Sequence, residues 1–135
     1  DDKKRLHHNY GNLLFYEKEY NEARKAYQEA LNCDDEYAEA KFGLGQLELE
    51  DNDVDQALSY FTQSMGDYAR QGKYDEWRDV LLFTIKMLED HDRYRDAISK
   101  CEYGMQMVNN LDYIGNTLFE MLQSRKQHYK RYIDT

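Results

Sequence analysis

Proline is missing from all 135 residues. Proline is the commonest helix breaker, so long helices can run uninterrupted and turns must be made by other residues. Cysteine occurs only twice, as Cys33 and Cys101. Two thiols are too few for the disulfide framework of a small secreted domain, and they suit a reducing, cytoplasmic setting. Long apolar runs are lacking too. None approaches the roughly 18 residues a membrane helix needs, and no signal-peptide pattern opens the chain. Positive charge is in deficit, with 18 Lys and Arg against 27 Asp and Glu, a net −9. That balance disfavours nucleic acid and anionic membrane as partners.

Catalytic and metal signatures are lacking as well. The four histidines are His7, His8, His91 and His128. His7 and His8 are adjacent, so on a helix they point about 100° apart and cannot easily share a metal. No HExxH, CxxC, glycine-rich phosphate loop or GxSxG pattern occurs. We expect no enzyme, no metal and no cofactor. Hydrophobic residues make up 41% of the chain, which is enough to form a core.

What is present is a repeat. The segment EARKAYQEALN places Ala23, Tyr27 and Ala30 on one helical stripe. Small residues let a neighbouring helix come close, and the aromatic fills the space between. The stripe recurs 34 residues on as Ala57, Phe61 and Ser64, and a further 40 on as Ala97, Cys101 and Gly104. Leu31, Met65 and Met105 follow each time. Upstream of each stripe lies a second helical segment, and its glycines Gly11 and Gly45 are again 34 apart. Glycine costs a helix roughly 1 kcal/mol relative to alanine, so a repeated one suggests a close backbone approach.

The linking turns EKEY, DNDV and HDRY are polar, each ending on an apolar residue. The six extra residues of the third unit fall between Met65 and Arg78. They are expected to lengthen the second helix of unit two before a turn at Gln71-Gly72-Lys73. The last segment, about 112–133, reads as one amphipathic helix with Leu111, Ile114, Leu118, Leu122, Tyr129 and Ile133 at 3–4 spacing. Residues 123–131 carry four cations and no acid, which suit the C-terminal end of a helix dipole.

These residues resemble the tetratricopeptide-repeat (TPR) family. Its 34-residue unit carries a Leu-Gly-Tyr type pattern on helix A and Ala-Phe-Ala on helix B. The matching residues are Tyr10-Gly11 with Leu14, Ala23, Tyr27 and Ala30, then Leu44-Gly45, Ala57, Phe61 and Ser64. In the third unit only Ala97, Cys101 and Gly104 hold, and Ile85 stands where glycine would be. The proline that closes the family's unit is missing throughout. The resemblance implies an all-α, right-handed superhelical solenoid of about three helix pairs. We expect one domain, with repeats at about 4–37, 38–71 and 72–108 and a C-terminal capping helix at about 112–133.

The resemblance also implies where a partner would bind. In TPR arrays the A helices line a concave groove. The position three residues before the motif glycine faces it, and here holds His8, Phe42, Leu82 and, in the last helix, Phe119. One residue beyond the glycine stand Asn12, Gln46 and Lys86. Apolar side chains flanked by amides suit an extended peptide. Tyr10 and Leu44 are expected on the opposite, core-facing side, so Phe42 and Leu82 should not be needed for folding. The alternative is that the C-terminal helix folds back over the file and buries it. The carboxylate clamp of chaperone-binding TPR domains is not matched beyond Asn12, since His8, Gly43, Asp79 and Phe83 occupy its other positions. The expected function is a non-catalytic protein–protein interaction module for a peptide or partner helix, acting as a monomer or weak dimer. Alternatives are the sensing part of a bacterial signalling-peptide receptor, or a small acidic secretion chaperone.

Overall fold

The computed structural model describes residues 2–110 and 116–133. Among the described residues all regular structure is helical. Seven helices follow in order: α1 Asp2–Tyr16, α2 Tyr20–Cys33, α3 Ala38–Glu50, α4 Val54–Arg70, α5 Tyr74–Asp90, α6 Tyr94–Asn110 and α7 Asn116–Lys130. None of them is long and apolar enough to cross a membrane. Leu111 and Ile114, expected on the last helix's apolar stripe, lie outside the described residues. The chain divides into two compact units, residues 1–80 and 81–135.

In the first unit α1 packs on α2, α3 on α4, and α2 on α3. The stripe residues explain why. Ala23, Ala30, Ala57 and Ser64 are fully buried, and so is the aromatic of each stripe. The Tyr27 ring leaves no room for a side chain at position 11 or 43. A Cβ on Gly11 would lie 2.7 Å from the ring, and one on Gly43 would lie 2.5 Å from it. Phe61 excludes a Cβ at Gly45 in the same way. Each repeated glycine is thus a seat for the aromatic of helix B. Polar groups tie the layers further. The Ser64 hydroxyl donates to the Ala38 carbonyl at 2.9 Å. Buried Asp67 pairs with Lys41 at 2.6 Å and also with Arg70. Arg24 reaches Glu48 at 2.7 Å, from α2 to α3.

Without proline, four of the described turns use a left-handed residue. Lys18, Asn52, Gly72 and Asp92 have φ of 64°, 58°, 73° and 58°. After each, the next N–H reaches back to a carbonyl in the helix: Glu19 to Leu14, Asp53 to Glu48, Lys73 to Tyr68 and Arg93 to Leu88, at 2.8–2.9 Å. This is the Schellman closure, and it caps orphan carbonyls within a three-residue turn. Asp53 then starts the next helix, its carboxylate accepting from the Gln56 N–H at 3.1 Å. The extra residues of the third unit went into helices. α4, α5 and α6 have 17 residues each, against 14 and 13 for α2 and α3. The expected turn at 71–73 is present.

In the second unit α7 packs on α6. Gly104 is the seat here, and a Cβ there would meet Leu81 at 2.6 Å and Leu122 at 2.7 Å. Leu118, Leu122 and Tyr129 are buried as their spacing implied. Cys101 is buried, and burial pushes its thiol up to about 11.

One sequence expectation fails. Tyr10 was placed with Leu44 in the core, but it is 56% exposed while Leu44 is 2% exposed. The cause is packing order. α2 lies against that face of α3, whereas α1 is the first helix described.

Two predictions follow from the packing and the turns. Ala23→Leu and Ala57→Leu should each lose about 1–3 kcal/mol or more in denaturant unfolding, by overpacking. Glu22→Leu and Gln56→Leu, on exposed positions, should stay within about 0.5 kcal/mol of the parent; equal losses at all four would put the contact face elsewhere. Lys18→Gly should raise stability by about 1 kcal/mol, because a β-carbon is strained at positive φ. An unchanged or lower melting temperature would contradict that assignment.

Candidate functional site

Four of the expected site residues meet in the first unit. His8 and Asn12 on α1, with Phe42 and Gln46 on α3, line a hollow of about 360 Å³. Phe15, Tyr16, Tyr27, Glu39 and Gly43 complete it. The two helices come together because Tyr27 sits against glycines from both, Gly11 and Gly43. Its hydroxyl donates to the Asn12 Oδ1 at 2.7 Å. The Asn12 Nδ2 in turn lies 3.4 Å from the His8 Nε2. Asn12 is exposed, but its carbonyl oxygen is already engaged, so its remaining N–H is what it can offer a ligand.

Two of the side chains that line this hollow are neutral at pH 7. Burial holds the His8 imidazole below its usual range, against an opposing pull from Glu39, so it is neutral at pH 7. Burial pushes the Tyr27 phenol up to about 12, so it too is neutral. Glu39 is the acidic side chain in the lining, and its Oε1 is buried without a hydrogen-bond partner. Phe42 is half-buried, with its ring 5.1 Å from that of Phe61 and tilted by 40°. The expectation that Phe42 is not needed for folding meets a ring contact that opposes it. Its ring rests on a core residue and contributes to packing.

The second unit holds a separate hollow of about 230 Å³. Leu82 and Lys86 line it with Ile85 of α5 and with Met121, Leu122, Arg125 and Tyr129 of α7. The last helix thus lies beside two of the expected site residues, half-covering Leu82 and leaving Lys86 exposed. Lys86 is drawn to its own helix, with Asp90 at 2.8 Å and Glu89 at 3.3 Å. Phe119 is half-buried on α7 and lines neither hollow. Two of the four cations in the stretch pair with acids on other helices. Arg125 meets Glu89 at 3.3 Å and Lys126 meets Glu102 at 3.0 Å.

The parts of the two hollows that spacing missed are Tyr16, Tyr27 and Gly43 in the first, and Met121, Arg125 and Tyr129 in the second. Gly43 carried a signal, being a second small residue beside Leu44-Gly45. Met121 and Arg125 follow Leu118 and Leu122 by three residues each, so they border that apolar stripe. Among the described residues no group of three or more His, Cys, Asp or Glu could hold a metal ion.

Glu89 anchors α7 to α5. The Tyr129 hydroxyl donates to its Oε1 at 2.9 Å. That bond, and Lys86 beside it, hold the carboxyl below its ordinary 4.5. A carboxyl with a depressed folded value stabilises the fold fully above the unfolded value and loses that contribution as pH falls through the folded one. Stability should therefore fall below about pH 4.5. Glu89→Gln should start lower at pH 7 and fall less steeply in acid, read by urea unfolding at stepped pH. Parallel curves for the two proteins would remove Glu89 from the acid response.

Residues 11–51 match the family model described as TPR repeat. No curated protein sequence matches the chain. Among the solved structures that share its fold, two overlap nearly the whole chain. The translocator chaperone SycD of type III secretion in Yersinia enterocolitica superposes with a TM-score of 0.66 at 13% identity, over 99% of this chain and 88% of that one. The TPR2B domain of yeast Sti1, solved in a complex with pHsp70, superposes with a TM-score of 0.67 at 10% identity, over 98% and 99%.

Proposed function

We propose that this TPR-repeat protein is a non-catalytic interaction module that takes an extended peptide or a partner helix. The observation that carries the reading is the first-unit hollow, where His8, Asn12, Phe42 and Gln46 converge. Aromatic walls supply apolar contact, and the amides and the imidazole supply hydrogen bonds to a backbone. Glu39, the acidic side chain in the lining, disfavours acidic occupants. Leu82 and Lys86, with Phe119, are proposed as a further contact in the second unit. The unpaired thiols Cys33 and Cys101 support a reducing, cytoplasmic setting.

A second reading, a small acidic secretion chaperone, draws on the net −9 and on the fold shared with SycD over 99% of this chain. Recovery of an exported protein from the native source would favour it over a general adaptor.

The test is a pull-down from the native source followed by titration of the recovered partner. Phe42→Ala with Leu82→Ala should weaken binding by tenfold or more, about 1.4 kcal/mol or above. Because Phe42 also packs on Phe61, a moderate drop in melting temperature should accompany it. Gln46→Ala should weaken binding with little change in melting. If affinity per folded molecule is unchanged in both variants, the partner docks elsewhere.

A further inference from the structure

Asn12 joins Tyr27 to His8 by hydrogen bonds that run in one direction. The Tyr27 hydroxyl donates to the Asn12 Oδ1 at 2.7 Å. The other end of the amide, Nδ2, is therefore what faces the His8 Nε2, at 3.4 Å. An amide nitrogen only donates, so Nε2 has to accept. That requires the imidazole tautomer with its proton on Nδ1. The chain thus runs from Tyr27 through Asn12 to His8.

The three members differ in freedom. The imidazole is held among rings, with Tyr27 at 6.0 Å and Tyr37 edge-on at 5.6 Å. Tyr27 is itself buried in its seat on Gly11 and Gly43. Asn12 is exposed, and the torsion that turns an amide end for end is soft. Only the amide can turn over without unpacking a neighbour. The titratable groups facing the imidazole are Tyr27 from α2, with Tyr37 and Glu39 from the start of α3. Burial raises both phenols, so they keep their protons in neutral and acid solution. Glu39 favours a proton on His8, and burial opposes it more strongly. One turn back on α1, Lys4 lies over the Tyr37 ring at 5.0 Å and pairs with Asp34 at 2.6 Å, while Arg5 is exposed.

We propose that adding a proton to His8 reverses this chain and releases the Tyr27 hydroxyl from Asn12. The incoming proton goes to Nε2, the nitrogen with the lone pair. Two donors then face each other, Nε2–H and Nδ2–H. Half a turn of the Asn12 amide removes the conflict. Oδ1 now accepts from Nε2–H, and Nδ2 donates to the Tyr27 oxygen. The new bond to the imidazolium is charge-assisted and stronger than the neutral contact it replaces. The phenolic hydrogen loses its acceptor, and Tyr27 lines the hollow. A buried hydroxyl without an acceptor is costly, so the acid state calls for a water or an occupant with an acceptor oxygen there. Protonation thereby changes what the wall of the hollow asks of its contents. The reversal belongs to the free protein and does not rest on the peptide reading.

Nuclear magnetic resonance of the isotope-labelled chain tests it, with pH lowered from about 8 to about 4.5. At the start, the His8 Nδ1 should resonate as a protonated nitrogen and Nε2 as a bare one. On acidification Nε2 should gain its proton with a midpoint below the ordinary 6.5. The Asn12 amide protons and the Tyr27 Cζ should shift with that same midpoint. Asn12→Asp offers acceptor oxygens at both ends, so no turnover is needed. In that variant the His8 midpoint should rise by about one pH unit or more, and the Tyr27 Cζ should stay still. Tyr27→Phe keeps a ring in the seat, as Phe61 does in the next repeat. It lets the amide turn without losing a bond, so the His8 midpoint should rise by about 0.5 pH unit. A proton already on Nε2 at neutral pH overturns the proposal, as does a His8 that stays neutral to the end of the titration. Asn12 resonances that ignore the His8 midpoint overturn it too. So does a Tyr27 Cζ that shifts equally in Asn12→Asp, since the imidazolium field alone would then be acting. A midpoint unchanged or lowered in Tyr27→Phe removes the coupling between the two rings.

Discussion

Everything in the first unit depends on an aromatic ring resting against bare backbone. Tyr27 occupies the volume that side chains at positions 11 and 43 would need, and Phe61 does the same at position 45. Such a contact cannot be loosened gradually, because interiors are packed as densely as organic crystals. It fixes how close α1, α2 and α3 come. The hollow lined by His8, Asn12, Phe42 and Gln46 exists because of it. The ring that holds the helices together also forms one wall of that hollow, and its hydroxyl orients Asn12. Packing and recognition share one side chain.

The second unit reaches burial at the same register by exchanging sizes. Where the first two repeats have glycine on helix A and an aromatic on helix B, the third has Ile85 and Cys101, both buried. The bulk moves from one helix to the other. The small position is then taken over by Gly104, against which Leu81 and Leu122 close. This lets a lone final helix dock, with Glu89 receiving both Arg125 and the Tyr129 hydroxyl.

How much of this was legible in the sequence depends on how local the cause is. The 34-residue recurrence disclosed the helix pairs, the glycine seats at positions 11 and 45, and the turns, because each is set by residues within one repeat. The burial of Leu118, Leu122 and Tyr129 was legible from spacing alone. Tyr10 was not. Its register is that of a core residue, and only the absence of a described helix against it makes it a surface residue. Phe42 was half-legible, since its position puts it in the lining of the hollow but its contact with Phe61 depends on side-chain reach. Lys86 was placed correctly on its helix, yet its partners Glu89 and Asp90 come from the same helix and compete with any ligand. Which charges are already spent cannot be read from spacing.

The seat beneath Tyr27 also sets a clock. A phenol ring clasped by backbone at Gly11 and Gly43 cannot turn over about its Cβ–Cγ axis unless the helices part. Its half-turns thus count separations of α1 from α3. The same ring is one wall of the hollow, so a separation that frees the ring also alters that wall. A ring in a looser socket would spin freely and report nothing. Here two missing methyl groups convert a side-chain rotation into a measure of how often the repeat breathes.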